Sequence, residues 1–200
     1  MEGSEVRVRW VFLPVVAWLC GGCGLDTQTT PRQTSYQGNV ACAEEGSRSG
    51  CGSVSERNLF FCINEERKRA GLPPLQWSNG LADLARAHAH DMCERGFFDH
   101  VNPEGQDPTA RANSGRAGRF AFRPLVPDVY PAVAENIAYG YRSASAVVRA
   151  WMNSPGHRAN VLSSRWTHVG CGNCGSTGAN ARESDSLGCG MHWVATFAFR

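Results

Sequence analysis

Two β-forming runs close the sequence, "WTHVGCG" at residues 166–172 and "MHWVATFAF" at 191–199, with a Gly/Ser/Asn-rich loop between them. Their aromatic and β-branched content suits paired strands. The segments before them carry apolar residues at helical spacing. Helices first and strands last predict helices packed on a mainly antiparallel sheet.

The first helix is announced by Ser53-Val-Ser-Glu56, which has capping-box spacing, and it should stop at Gly71 before Pro73-Pro74. Leu59, Cys62, Ile63 and Ala70 fall on one side, which leaves Glu65, Glu66, Arg67, Lys68 and Arg69 as a solvated face. Ser78 caps a second helix in which Leu81, Leu84, Ala85, His88 and Met92 recur on one stripe until Gly96 ends it. His88 on that stripe reads first as a hydrogen-bonded packing residue, and His90 turns away. Asp107-Pro108 starts a short helix within an irregular stretch, residues 106–133. Ser143 or Ser145 starts another, "AVVRAWMN", which Pro155-Gly156 ends.

Three positions stand out as polar groups held by apolar neighbours. In "FFDHVNPEG", Phe97 and Phe98 can anchor in the core and leave Asp99 and His100 at the lip of a turn. Glu135 lies inside the apolar run from Ala132 to Tyr139, where a buried carboxylate must be neutral, paired or metal-bound, unless it only caps local amides. His157 follows the Ser-Pro-Gly break of "WMNSPGHRANVL", where side chains from several directions can converge. Tyr139, Tyr141 and Trp151 could line a cleft or fill the core.

The front of the chain reads as an export signal. Residues Trp10 to Leu19 form an apolar run behind Arg7 and Arg9, too short for a membrane span of about 20 residues. Residues 1–22 are assigned to this signal, and Leu19-Cys20-Gly21-Gly22-Cys23 resembles a lipoprotein box that would attach the chain to a membrane through a lipidated Cys23. Ordinary secretion is the alternative, so the expected location is secreted or envelope-associated. Residues 23–52, rich in small and polar groups, form a flexible tether, and residues 53–200 form the domain.

The seven cysteines after Cys23 suit an oxidising compartment. Their connectivity is open. The candidate pairs are Cys42 with Cys51, Cys62 with Cys93, and Cys189 with Cys174 or Cys171. The Cys171-Gly-Asn-Cys174 spacing also fits a zinc or redox site, which His168 and His192 would have to complete. A net charge of +2 with no basic stripe interleaved with aromatics argues against nucleic acid as a partner.

Taken together, "NEERKRAGLPPLQW", "FFDHVNPEG", "AENIAYG", "WMNSPGHRANVL" and "HVGCG" stand in the order of the CAP superfamily, the cysteine-rich secretory, antigen 5 and pathogenesis-related proteins. Over about residues 55–200 the chain resembles the bacterial SCP-like members. The resemblance implies an α-β-α sandwich, of mixed α/β (α+β) class, with a cleft carrying two histidines and two glutamates able to hold a divalent ion. His100, Glu135 and His157 match three of these, and Ser154 stands where animal and plant members place the second glutamate. The expected cleft is therefore His100, Glu135, Ser154 and His157, with His100 and His157 as ligands for zinc or magnesium. The expected function is binding of a lipid, a glycan or an envelope protein. One alternative is a metal-assisted hydrolase with Glu135 as general base; another is a structural envelope protein whose cleft binds nothing.

Overall fold

The computed structural model describes residues 54–125, 132–175 and 191–199. The export signal, the tether, the Ser53 cap and the candidate Cys42–Cys51 pair lie outside them. Among these described residues five helices and six strands follow one another: α1 Val54–Arg69, β1 Gln76–Trp77, α2 Asn79–Arg95, α3 Pro108–Ser114, β2 Arg116–Ala117, β3 Phe120–Ala121, β4 Val133–Tyr139, α4 Ala144–Asn153, α5 Pro155–Val161, β5 His168–Cys174 and β6 His192–Ala198. The principal sheet has the order β1-β5-β6-β4. Only the short β1 runs parallel to its neighbour, and the other pairs are antiparallel.

Period-two alternation sorts the sheet into two faces. Val169, Cys171, Trp193, Ala195 and Phe197 enter the larger core, shared with α1, α4 and α5. Ile137, Val194 and Cys174 enter a second core beneath α2. The result is three layers, helix on sheet on helix. The α2 side depends on two glycines of β5. A Cβ at Gly170 would stand 2.0 Å from the Ala82 nitrogen, and one at Gly172 would stand 2.2 Å from the Arg86 nitrogen. The absence of side chains there lets the helix backbone rest directly on the strand.

Helix ends follow local chemistry. Ser78 accepts from the Leu81 amide, and Gly96 closes α2 at φ 68°, a left-handed conformation open to glycine at little cost. Asp107 caps α3 and Ser143 caps α4. Pro155-Gly156 does end α4, but Pro155 is also the first residue of α5, so His157 lies in a first helical turn instead of leaving helix altogether. The charged side of α1 is not wholly solvated either: Glu66 and Arg67 are buried. Arg67 donates to the carbonyls of Pro73, Val161 and Ser163, tying the end of α1 to the end of α5.

The cysteine pairings come out differently. Cys62 is disulfide-bonded, whereas Cys93, Cys171 and Cys174 carry buried thiols. The Cys62–Cys93 pair and both pairings of Cys189 with this motif are therefore not formed. Cys171 and Cys174 are three positions apart on an extended strand, so they face opposite sides and cannot close on one another.

Candidate functional site

Glu135 is the centre of the site. It sits on β4, an edge strand, with its side chain on the α2 face of the sheet. Its carboxylate is buried and fully engaged. Oε1 accepts from His100 Nδ1 at 3.0 Å, and Oε2 accepts from a terminal nitrogen of Arg111 at 2.8 Å. His88 Nε2 lies 3.7 Å from Oε1. Burial alone would raise the pKa of this carboxyl, but the charges of His88 and Arg111 and the His100 hydrogen bond outweigh it and hold it at about 2.

Arg111 organises the wall around it. Fully buried on α3, it also donates to the carbonyls of His100 and Gln106, at 2.6 and 2.9 Å. One guanidinium thus joins β4 to the loop that carries His100. That loop is stiffened further by Asn102, whose side chain exchanges hydrogen bonds with Gln106, and by Asp99, which accepts from the Val101 amide. His88 donates from Nε2 to the Asp99 carbonyl at 3.0 Å, since a carbonyl can only accept. Its Nδ1 is buried without a partner, and burial pushes its pKa down against the opposing charge of Glu135.

His157 reaches the site from the other layer. Asn136, the neighbour of Glu135, turns to the opposite face and donates to the His157 carbonyl at 3.0 Å. Asn160 of α5 donates to the Asn136 side chain at 2.9 Å, and Trp151 donates from its indole to the Ile137 carbonyl at 3.1 Å. These bonds occupy the outer edge of β4 and fix α4 and α5 against it. The imidazole bonds through Nδ1 to the Ser154 hydroxyl at 2.9 Å and stacks near Trp151. Burial, together with the charge of His100, lowers its pKa, which favours the neutral ring. His100 is 46% exposed and His157 is half-buried, so each can turn its Nε2 to a ligand while Nδ1 holds its own support.

Beside His100 the protein exposes an apolar lip. Phe98, Val101 and Tyr139 are 39%, 44% and 47% exposed, and the Phe98 and Tyr139 rings lie 6.0 Å apart. The buried ring of His192 backs them, 4.8 Å from Tyr139. Of the aromatics left open by the sequence, Tyr139 therefore lines the surface, Trp151 is core, and Tyr141 packs partly against that core.

Of the expected set, His100 bonds to Glu135 and His157 bonds to Ser154, with His157 near enough to His100 to feel its charge, but Glu135 faces Arg111 instead of a vacant coordination position. Among the described residues no group of three or more His, Cys, Asp or Glu side chains is arranged to hold a metal ion. Catalytic zinc takes three protein ligands, and here the donors left over are two imidazole nitrogens. These residues do not fit a zinc centre. Cys171, Cys174, His168 and His192 do not converge either, because His168 and His192 stand at opposite ends of the β5–β6 ladder.

The comparisons with known proteins agree with this architecture. The model of the CAP cysteine-rich secretory protein family matches residues 60–197. The chain belongs to the CAP family. It is 38% identical over 120 residues to the uncharacterized protein YkwD of Bacillus subtilis, covering 60% of this chain and 42% of that one. An extracellular SCP-domain protein of Bacillus anthracis superposes with a TM-score of 0.55 at 25% identity, over 73% of this chain and 40% of the other. An outer surface protein of Borrelia burgdorferi shares the fold, with a TM-score of 0.57 at 22% identity over 72% of this chain and 91% of its own. The CAP domain thus spans less than half of YkwD and of the B. anthracis chain.

Proposed function

We propose that this CAP protein is exported to the cell envelope and binds an amphiphilic ligand, a lipid with a small polar head, at the cleft formed by His100, Ser154 and His157. The observation that carries the reading is the exposed ring pair of Phe98 and Tyr139, with Phe98 and the exposed Val101 both within two residues of the half-exposed His100. A polar head would accept or donate at the two Nε2 atoms, and an apolar chain would cover the lip. Exposed large apolar groups that sit together mark binding surfaces more often than single ones do. The export signal read in the sequence and the extracellular or outer-surface relatives support the location.

The hydrolase alternative has less behind it. A general base works best with a pKa near the operating pH, and Glu135 at about 2, with both oxygens occupied, is an anionic strut and not a base. Binding of a fluorescent long-chain fatty acid tests the proposal. It should saturate with the unaltered chain and weaken at least tenfold in Phe98→Ser/Tyr139→Ser while the melting temperature holds. Saturable binding of an envelope glycan with no binding of the fatty acid would assign the cleft to sugars, and turnover of peptide or ester substrates abolished by His157→Ala would restore the hydrolase.

A further inference from the structure

The positive charge is distributed unevenly over the two helical layers. From Asn136 to Gly175 the sequence contains Arg142, Arg149, Arg158 and Arg165 and no aspartate or glutamate. All four arginines are exposed. Arg149 stands on α4 away from the buried stripe of Val147, Val148, Trp151 and Met152, and Arg158 stands on the open side of α5. None of the four forms a salt bridge among the described residues, and Arg165 lies over the Trp166 ring. The α2 side behaves differently: Arg86 pairs with Glu56 and Asp83, Arg95 with Asp91 and Glu104, and Arg119 with Glu94.

The exposed Lys68 joins this surface. Arg67, next to it on α1, is bonded to the carbonyls of Val161 and Ser163, which places the end of α1 beside the α5 end and the loop carrying Arg165. On the α1, α4 and α5 layer the exposed cations Lys68, Arg142, Arg149, Arg158 and Arg165 therefore outnumber the exposed acid, Glu65 of α1, while Arg69 is taken up by Glu66. Such a surface is unfavourable on its own and is relieved by an anionic partner.

We infer that this face docks on an anionic phospholipid membrane. Charge complementarity supports the choice, and so does the length of chain before the domain. A lipid on Cys23 would leave thirty residues before Val54, enough to let the domain settle on the same membrane. One chain anchor plus a basic patch is a combination that makes membrane attachment stable. Guanidinium groups suit phosphate, because their planar donors can form two parallel bonds to one head group. This inference presupposes the envelope location proposed above, but its test does not.

The test is co-sedimentation of the full chain carrying Cys23→Ser with vesicles of phosphatidylglycerol and phosphatidylcholine, against vesicles of phosphatidylcholine alone. Each basic residue near an anionic surface contributes about a fivefold gain in binding, so Arg149→Glu/Arg158→Glu should weaken binding to the anionic vesicles more than tenfold. High salt should do the same. Arg116→Glu/Arg123→Glu, on the α2 side, should change it little, and fatty-acid binding at the cleft should survive both pairs. Equal binding to the two vesicle types, an equal loss in the control pair, or tighter binding to duplex DNA at the same salt would overturn the inference. Cell fractionation reports on the location independently.

Discussion

Arg111→Met removes the cation that faces Glu135. The replaced guanidinium is fully buried, and it bonds to the Glu135 carboxylate and to the carbonyls of His100 and Gln106. Breaking one side of a buried ion pair costs about 3–5 kcal/mol, because the remaining charge has no partner and no water. At about 3 °C per kcal/mol for a domain of this size, the melting temperature of the full chain should fall by about 10 °C or more at neutral pH. Two effects would act together: the carboxylate would be stranded, and the loop from Asp99 to Gln106 would lose its tie to β4. The double variant Arg111→Met/Glu135→Leu separates them, since it removes the stranded charge and leaves only the lost tie. It should regain more than half of the loss, so that the two substitutions are strongly non-additive. Thermal unfolding by circular dichroism reads both. A fall of under about 3 °C in the single variant, or additive losses in the double, would refute the view that Arg111 neutralises Glu135.

Four other outcomes follow from the same geometry. Gly170→Ala and Gly172→Ala each place a Cβ within 2.0–2.2 Å of α2 backbone, so each should cost about 3 kcal/mol or more in urea unfolding. Glu135 is held at about 2, below an unfolded value of about 4.3; its contribution is present above the unfolded value and is lost as pH falls toward 2, so Glu135→Gln should flatten that limb of the acid-unfolding curve. His88 and His157 are both lowered, so stability should already begin to fall as pH drops below about 6.5, and NMR titration should find both rings protonating later than a free histidine. Metal-stripped protein titrated with zinc or magnesium should gain no more in melting temperature than His100→Ala/His157→Ala does; a rise confined to the unaltered chain would establish a metal site.

Much of the architecture was legible because it is written in short-range signals. Ser78 with Gly96, Asp107-Pro108 and Ser143 are local cap chemistry, and each marks the end found in the structure. The strand runs at the end of the chain were legible from residue type alone. The pairing of His100 with Glu135 was not visible in spacing and came from the resemblance to the CAP family, because the two arrive from a loop and a strand separated by a long stretch.

What the sequence concealed depends on tertiary partners. A carboxylate in an apolar run signals that a partner must exist, but nothing distinguishes Arg111 from the chain's other arginines until α3 is laid against β4. His88 was legible only as a histidine on the apolar stripe of α2, and its place beside Glu135 required the α2 register that Gly170 and Gly172 set. The burial of Glu66 and Arg67 broke the simple amphipathic reading of α1, because backbone carbonyls at the end of α5 supply the acceptors that a solvated face would have found in water. The CxxC spacing suggested a zinc or redox site or a bond from one of its cysteines to Cys189, but strand geometry sends the two to opposite faces and both remain thiols.

The central claim is that the cleft takes an amphiphile with its head at the two imidazoles and its chain on the lip. The most direct measurement is histidine side-chain NMR of the full chain titrated with a long-chain fatty acid. The account predicts saturable shifts of the His100 and His157 resonances, absent in Phe98→Ser/Tyr139→Ser, with His90 unmoved as an internal control. Saturable binding that leaves both cleft histidines unshifted, or shifts that persist when the lip is removed, would contradict it.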